Sequence, residues 1–395
     1  MNRFFGFSSL GAAALLAAPA WAAGQQTVAQ PKAAVIAQIE APGEHARRLL
    51  DEALLSIREL EHKGLAPTDE IVAKFREAAQ AAPKAVSAQF DLAVALEKAG
   101  KTDDATATWR AAAAATQGPK ELRLMAAERA VQLALLQKNA QAARAGAELA
   151  ARIDDSPRSR SLAAEVELAS GDAQAALAKA RTALMQAPKD VRALCALARA
   201  QTALGQPGTA KLLAHRAASI DARDARPHLV LAELASYSND GVAELAELKS
   251  AAASDPKSLQ AQILLGNLML QRGDATGAAG PFEKAAQIDP DSAAARLGLG
   301  ASLAAQGGKA ARAIEELEAA ATLAPSAAEP HLLIARLKMT DGDAATALEE
   351  ARLFVKLSPQ LPANHQVHAL LQRAEKALAA KAPAPAVHSA NGGVQ

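Results

Sequence analysis

Apolar residues recur along this chain in short blocks at helical spacing. Between Leu259 and Arg272 the block holds Ile263, Leu264, Leu265, Leu268, Met269 and Leu270, the rhythm of an amphipathic helix. Gly273 closes it, because glycine takes the left-handed conformation that helix ends favour. Asp274 suits the cap of a following helix. The next block sets Ala278, Phe282, Ala285 and Ile288 on one face. It ends at Asp289-Pro290, since a residue before proline is pushed out of helical geometry. The pattern predicts a helical hairpin, one unit of a 34-residue period.

The same punctuation recurs. Pro256, Pro290, Pro325 and Pro359 are separated by steps of 34, 35 and 34, and two further steps of 34 backward reach Ala222 and Pro188. Turn residues keep the beat at Gly171, Gly205, Asn239, Gly273, Gly308 and Gly342, with one extra residue at Gly307-Gly308. A small residue stands seven positions before each turn: Ala164, Ala198, Ala232, Gly266, Ala301 and Ala335. Five positions after each turn come Ala176, Ala210, Glu244, Ala278, Ala313 and Ala347, of which only Glu244 is not alanine. Upstream, Leu92-Ala93, Gly100, Ala105, Trp109 and Ala112 fit another copy. Ile71, Phe75, Ala78 and Pro83 fit the second helix of a first one, whose longer first helix runs from Glu44 to Lys63 and stops at Gly64. Pro119 to Asp155 reads as a copy stretched to 37 residues. Nine hairpins are predicted, the first and third imperfect, followed by one more helix from Asn364 to Ala380.

This pattern resembles the tetratricopeptide repeat, with its period of 34 and its signature W-x2-L-G-x2-Y, then A-x3-F, then P. In the copy from Leu259 to Pro290, Gln262 replaces the Trp, Leu265-Gly266 match, and Met269 replaces the Tyr. Ala278, Phe282 and Pro290 match. The resemblance covers residues 44 to 360. It implies an all-α, right-handed superhelical solenoid of about nine hairpins, with the last helix as a cap. It also implies that first helices line a concave groove in which a peptide or helix of a partner protein lies.

A length of 395 residues ordinarily suggests two or three domains, but a repeat array is one elongated unit, here residues 44–380. Hydrophobic residues make up 50% of the chain and aromatics only 3%, so each hairpin buries modest apolar area and alanine does much of the packing. Pro281 falls inside an expected second helix and predicts a kink or a late start there.

Residues 1–22 read as a cleaved secretory signal peptide. Arg3 begins it, an apolar run from Leu10 to Ala18 follows, and Ala20-Trp21-Ala22 fits the small-x-small cleavage rule. The competing reading is a retained membrane anchor, which so short a run disfavours. Residues 23–43 read as a linker and 381–395 as a disordered tail rich in Pro and Gly. With no later stretch long and apolar enough to span a bilayer, the expectation is a Sec-exported periplasmic protein without stable membrane insertion after cleavage. Cys195, the single cysteine, reads as a small buried hydrophobe; the sharper alternative is a reactive thiol.

No catalytic, cofactor or metal constellation emerges. The chain lacks GxSxG, a Walker loop, HExxH and CxxC, and the Gly-rich run Gly273 to Gly280 lacks the Lys-Ser/Thr of a phosphate loop. His228 and His331 occupy the Trp position of their copies and read as half-core residues. His365 and His368 are three apart, with no nearby carboxylate or Cys to complete a metal site. Asp103-Asp104 and Glu349-Glu350 read as a turn and a solvated face. Lys and Arg total 43 against 42 Asp and Glu, which excludes the positive excess of a nucleic-acid surface.

The groove remains. Arg158, Arg192 and Arg226 stand six residues before the small position, 34 apart each time, and Arg199 stands one after it, flanked in phase by Glu165 and Glu233. One reading is a basic stripe for an acidic peptide or helix, held by charge-assisted bonds. The other is salt bridging between repeats by Arg199, with the remaining arginines solvated. The Lys/Asn pattern of the chaperone-tail carboxylate clamps is not present. The expected function is a non-catalytic scaffold or adaptor serving cell-envelope assembly or polysaccharide export, as exported arrays of this kind do. A chaperone-like holdase for exported clients is the alternative.

Overall fold

Nineteen helices and no strand make up residues 44–62, 67–362 and 364–381, which the computed structural model of the chain describes. They pair into hairpins: α1 (Glu44–His62) with α2 (Asp69–Ala81), α3 (Val86–Lys98) with α4 (Thr102–Ala114), and α5 (Lys120–Leu136) with α6 (Ala140–Ile153). Next come α7 (Pro157–Ala169) with α8 (Ala173–Gln186), α9 (Val191–Ala203) with α10 (Pro207–Ile220), and α11 (Arg226–Tyr237) with α12 (Gly241–Ser254). The last three are α13 (Leu259–Gln271) with α14 (Ala275–Ile288), α15 (Ala293–Gln306) with α16 (Ala310–Leu323), and α17 (Glu329–Thr340) with α18 (Ala344–Leu357). Helix α19 (Gln366–Lys381) packs on α18. The nine hairpins form the expected all-α, right-handed solenoid. The signal, the linker, the stop at Gly64 and the tail beyond Lys381 lie outside the described residues.

Local chemistry explains the boundaries. Asn139, Asp172, Asp190, Asp240, Asp274 and Asp343 each accept a hydrogen bond from the backbone N–H three residues on, filling one of the donors a helix start leaves open. The turns inside hairpins need a left-handed residue. Glycine supplies it at most of them, while Asn239 (φ 55°) and Lys138 (φ 56°) adopt it without that freedom. The stretched third copy places its surplus in the first helix: α5 has 17 residues where α3 has 13. The capping helix starts two residues later than expected. His365 Nδ1 accepts from the Val367 N–H at 3.3 Å, and its ring stacks on Phe354 with centroids 5.4 Å apart.

Packing corrects two expectations. Helix α14 does not start late: it begins at Ala275, directly after Asp274, and runs through Pro281. The residue before the proline is Gly280, which has no Cβ to clash with the ring, so the helical conformation stays open to it. In the eighth hairpin the close-approach residue is Gly300 and not Ala301. A Cβ at Gly300 would lie 2.7 Å from Leu317 Cγ and 3.1 Å from the Ala313 carbonyl oxygen. The extra residue thus sits wholly in the Gly307-Gly308 turn. Phe282 is fully buried between Gly266 of its own hairpin, where a Cβ would come within 2.7 Å of the ring, and Gly298 of the next.

The core is uneven. Hairpins 1 to 4 share one continuous apolar cluster from Leu50 to Val166, including Phe75, Phe90 and Trp109. The later hairpins bury five smaller clusters. Glu244 marks a thin spot, for α12 buries only Leu248 and Ala251. Successive first helices touch one another at nearly every step, whereas among the second helices α4 and α6 are the pair in comparable contact. The first helices therefore lie on the inside of the curve.

Candidate functional site

The inner face is built from the first helices, which the 34-residue period brings side by side. Its chemistry is a chain of ion pairs passing between hairpins. Arg158 on α7 donates from Nε and Nη2 to the two oxygens of Glu128 on α5, both at 2.6 Å. Arg192 on α9 reaches the same carboxylate, with Nη1 3.6 Å from Glu128 Oε1. Glu128 is buried, so two arginines from successive hairpins converge on one desolvated charge.

Arg199 lies one layer along. It donates from Nε and Nη2 to Glu233, 34 residues later, at 2.9 and 2.8 Å. Burial works against its charge, and the Glu233 and Glu165 carboxylates outweigh that cost, so its pKa is raised. Arg226 does not join Glu128. It donates to Asp224, just ahead of its own helix, from Nε at 2.9 Å and also from Nη2. The four arginines thus share one face, but each has a carboxylate of this chain. The expectation that those other than Arg199 are solvated holds in part: Arg158 is half exposed although bonded to Glu128, while Arg192 and Arg226 are largely covered. Cys195 sits among them, buried, its thiol pushed up to about 12 by burial, as befits a packed hydrophobe.

Two further layers were not legible from the period alone. Glu97 on α3 accepts from Trp109 Nε1 at 3.2 Å and from Arg129 Nε at 3.1 Å, and Arg129 Nη1 donates to Gln132. At the position where the repeat family places Trp, three copies hold a basic residue bonded to a glutamate of the second helix. These are His228 to Glu247 at 2.8 Å, Arg296 to Glu316 at 2.8 Å and His331 to Glu350 at 2.7 Å. The shared offset of 19 or 20 residues was the available signal. It makes Glu350 a bonding partner and not part of a solvated face.

A cleft of about 310 Å³ opens between α6, α7 and α8, lined by Arg144, Glu148, Asp155, Arg160, Glu167 and Lys179 among others. Burial works against the Glu167 charge, but bonds from Lys179 and Arg144 more than offset it and hold its carboxyl below the usual range. No group of three or more His, Cys, Asp or Glu fit to hold a metal occurs among the described residues, and none of their helices is long and apolar enough to cross a membrane.

No protein-family model and no curated protein matches the chain. Solved structures do. Yeast Tom70 is similar over 96% of this chain and 76% of its own, at 15% identity and a TM-score of 0.50. PilF of Pseudomonas aeruginosa is similar over 56% of this chain and 98% of its own, at 20% identity and a TM-score of 0.45. YrrB, described as a TPR protein with an unusual peptide-binding site, covers 50% of this chain and 97% of its own, at 15% identity and a TM-score of 0.41. At such identities the likeness concerns the fold, and with Tom70 it extends over almost the whole array.

Proposed function

We propose that this chain, whose fold is that of the tetratricopeptide repeats, is a non-catalytic scaffold that holds a protein partner on its inner face. The observation that carries the reading is the continuous layer of first helices with Arg158, Arg192 and Arg199 tied to carboxylates of other hairpins. Such a layer presents charge at fixed intervals to anything lying along it. An acidic peptide or helix would compete with Glu128 and Glu233 for the arginines and gain charge-assisted bonds in their place. The periplasmic setting rests on the sequence of residues 1–22, and service in envelope assembly or polysaccharide export rests on analogy with exported arrays of this kind.

The holdase reading draws on a different observation. Met185, Leu212 and Val242 are large apolar side chains exposed on second helices, and Tyr237 is another at the last position of α11. They offer grip to apolar segments of many clients.

One experiment separates these readings: capture from an envelope extract with residues 23–395, beside a variant with Arg158, Arg192 and Arg226 changed to Glu. A single stoichiometric partner lost in the variant supports the scaffold with a basic inner stripe. The same partner retained in both keeps the scaffold and removes the stripe, and many weak partners support the holdase. Glu128→Gln sharpens the result. It frees Arg158 and Arg192 of their carboxylate, so an acidic partner is expected to bind several-fold tighter.

A further inference from the structure

The inner face is not open along its length. From α3 to α17 the first helices carry exposed residues only within two positions of their ends. In a gently curved array the concave side would be the wettest face of those helices.

Neighbouring hairpins cover most of those residues, and a further contact crosses the superhelix. The turn after α3 meets the loops that precede α15 and α17. Lys98 Nζ lies 3.3 Å from Asp291 Oδ2, across 193 residues of sequence. Gly100 stands against the ring of Pro325, such that a Cβ there would be 3.6 Å from Pro325 Cδ. Asp289 completes the seam. Burial raises its carboxyl first, and among the charges it feels are Arg129 and Glu97 of hairpins 3 and 2. The facing charges are therefore Lys98, Arg129 and Glu97 on one side and Asp289 and Asp291 on the other. Hairpins 3 to 7 fill the turn of superhelix that this contact closes.

We propose that the seam is a clasp: Lys98 and its neighbours on the α3–α4 turn hold Asp291 and the loop before Pro325, and release of this contact admits a partner to the inner face. The proposal rests on the protein-binding reading for what enters and on the geometry alone for the closure.

The seam differs in kind from the joints inside the array. Those pack helix on helix around buried apolar clusters; this one joins turns and loops, with the Asp291 side chain 56% exposed. No helix of hairpins 2 and 3 packs closely on a helix of hairpins 7 to 9. Exposed ion pairs contribute little and are screened by salt, so closure of this kind is reversible.

A zero-length carbodiimide tests it on the full chain. The reagent activates a carboxylate, the Lys98 amine attacks it, and an amide forms as the carbodiimide leaves as a urea carrying the oxygen. A linked pair of Lys98 and Asp291 peptides, read by mass spectrometry, is expected at low salt and is expected to fall severalfold at about 0.5 M salt, where the screening length is only a few ångströms. Small-angle scattering gives the second readout. Lys98→Glu is expected to raise the radius of gyration at low salt with helical circular dichroism unchanged, and Lys98→Glu/Asp291→Lys to restore it. Absence of the linked peptide, or a radius of gyration insensitive both to salt in the native chain and to Lys98→Glu, overturns the clasp. Partner capture is independent of both readouts. A captured partner with a salt-insensitive shape leaves the scaffold and removes the clasp; a working clasp with no partner does the reverse.

Discussion

At position 91 an aspartate lies within α3, packed between α2 and α4, with 2% of its surface exposed and neither carboxylate oxygen hydrogen-bonded. Burial raises its pKa from 3.8 to about 8. The folded chain therefore keeps the proton while the unfolded chain gives it up. Below pH 3.8 both states hold the proton, so the titration of Asp91 adds no pH dependence to stability there. As pH rises from there to about 8, the unfolded state alone ionises, and stability falls by roughly 1 kcal/mol per pH unit. Asp91→Asn removes the titration. It is expected to stabilise the chain by on the order of a few kcal/mol at pH 8 and to matter little near pH 4. Urea unfolding at the two pH values checks this; equal shifts at both would show that the carboxyl is solvated.

Elements meet here through missing atoms. Phe282 on α14 occupies space left by Gly266 on α13 and Gly298 on α15, so one ring joins two hairpins. Gly298→Ala would press a methyl group into that ring. It is expected to cost about 1–3 kcal/mol, the usual penalty for overpacking a filled core. A denaturation midpoint unchanged in Gly298→Ala would mean that the ring has room to turn. Phe282, Gly266 and Pro290 were legible as motif matches, whereas Gly298 was not. It stands outside the signature, and what makes it necessary is a ring from the preceding hairpin. The same limit explains Gly300. Counting back from the turn pointed to Ala301, because counting cannot say on which side of an inserted residue the helix resumes its contacts.

Over the whole molecule, stability is distributed as in a one-dimensional array, with each hairpin held by its neighbours. The distribution is not even, since hairpins 1 to 4 share a continuous core and the later ones do not. Slowest amide exchange is thus expected in α3 to α6, and faster exchange from α12 onward. Helix α19 closes the far end by burying Val367 and Leu370 against Ala335, Ala351 and Phe354. Val367→Asp places a charge in that junction. It is expected to speed exchange in α17 to α19 and to leave hairpins 1 to 4 unchanged; uniform acceleration would show one cooperative unit instead of an array.

The sequence by itself determined the helices, their pairing and their number. Those depend on short-range spacing: apolar residues at helical intervals, a left-handed residue at each turn, and an aspartate, asparagine or serine that caps many of the helices. It also placed Arg158, Arg192, Arg199 and Arg226 on a common face, because a fixed period puts equal phases side by side. What those arginines do was decided only by tertiary structure. Glu128 stands at a different distance from its turn at Lys138 than any of the arginines from theirs, so the period alone did not pair it with them. Lys98 and Asp291 come together across 193 residues because small rotations accumulate from one hairpin to the next. Each rotation is set by the volumes packed at one joint, such as Phe282 between its two glycines. A repeat pattern states the period of the array, while the curvature that closes it is a sum over all of those joints.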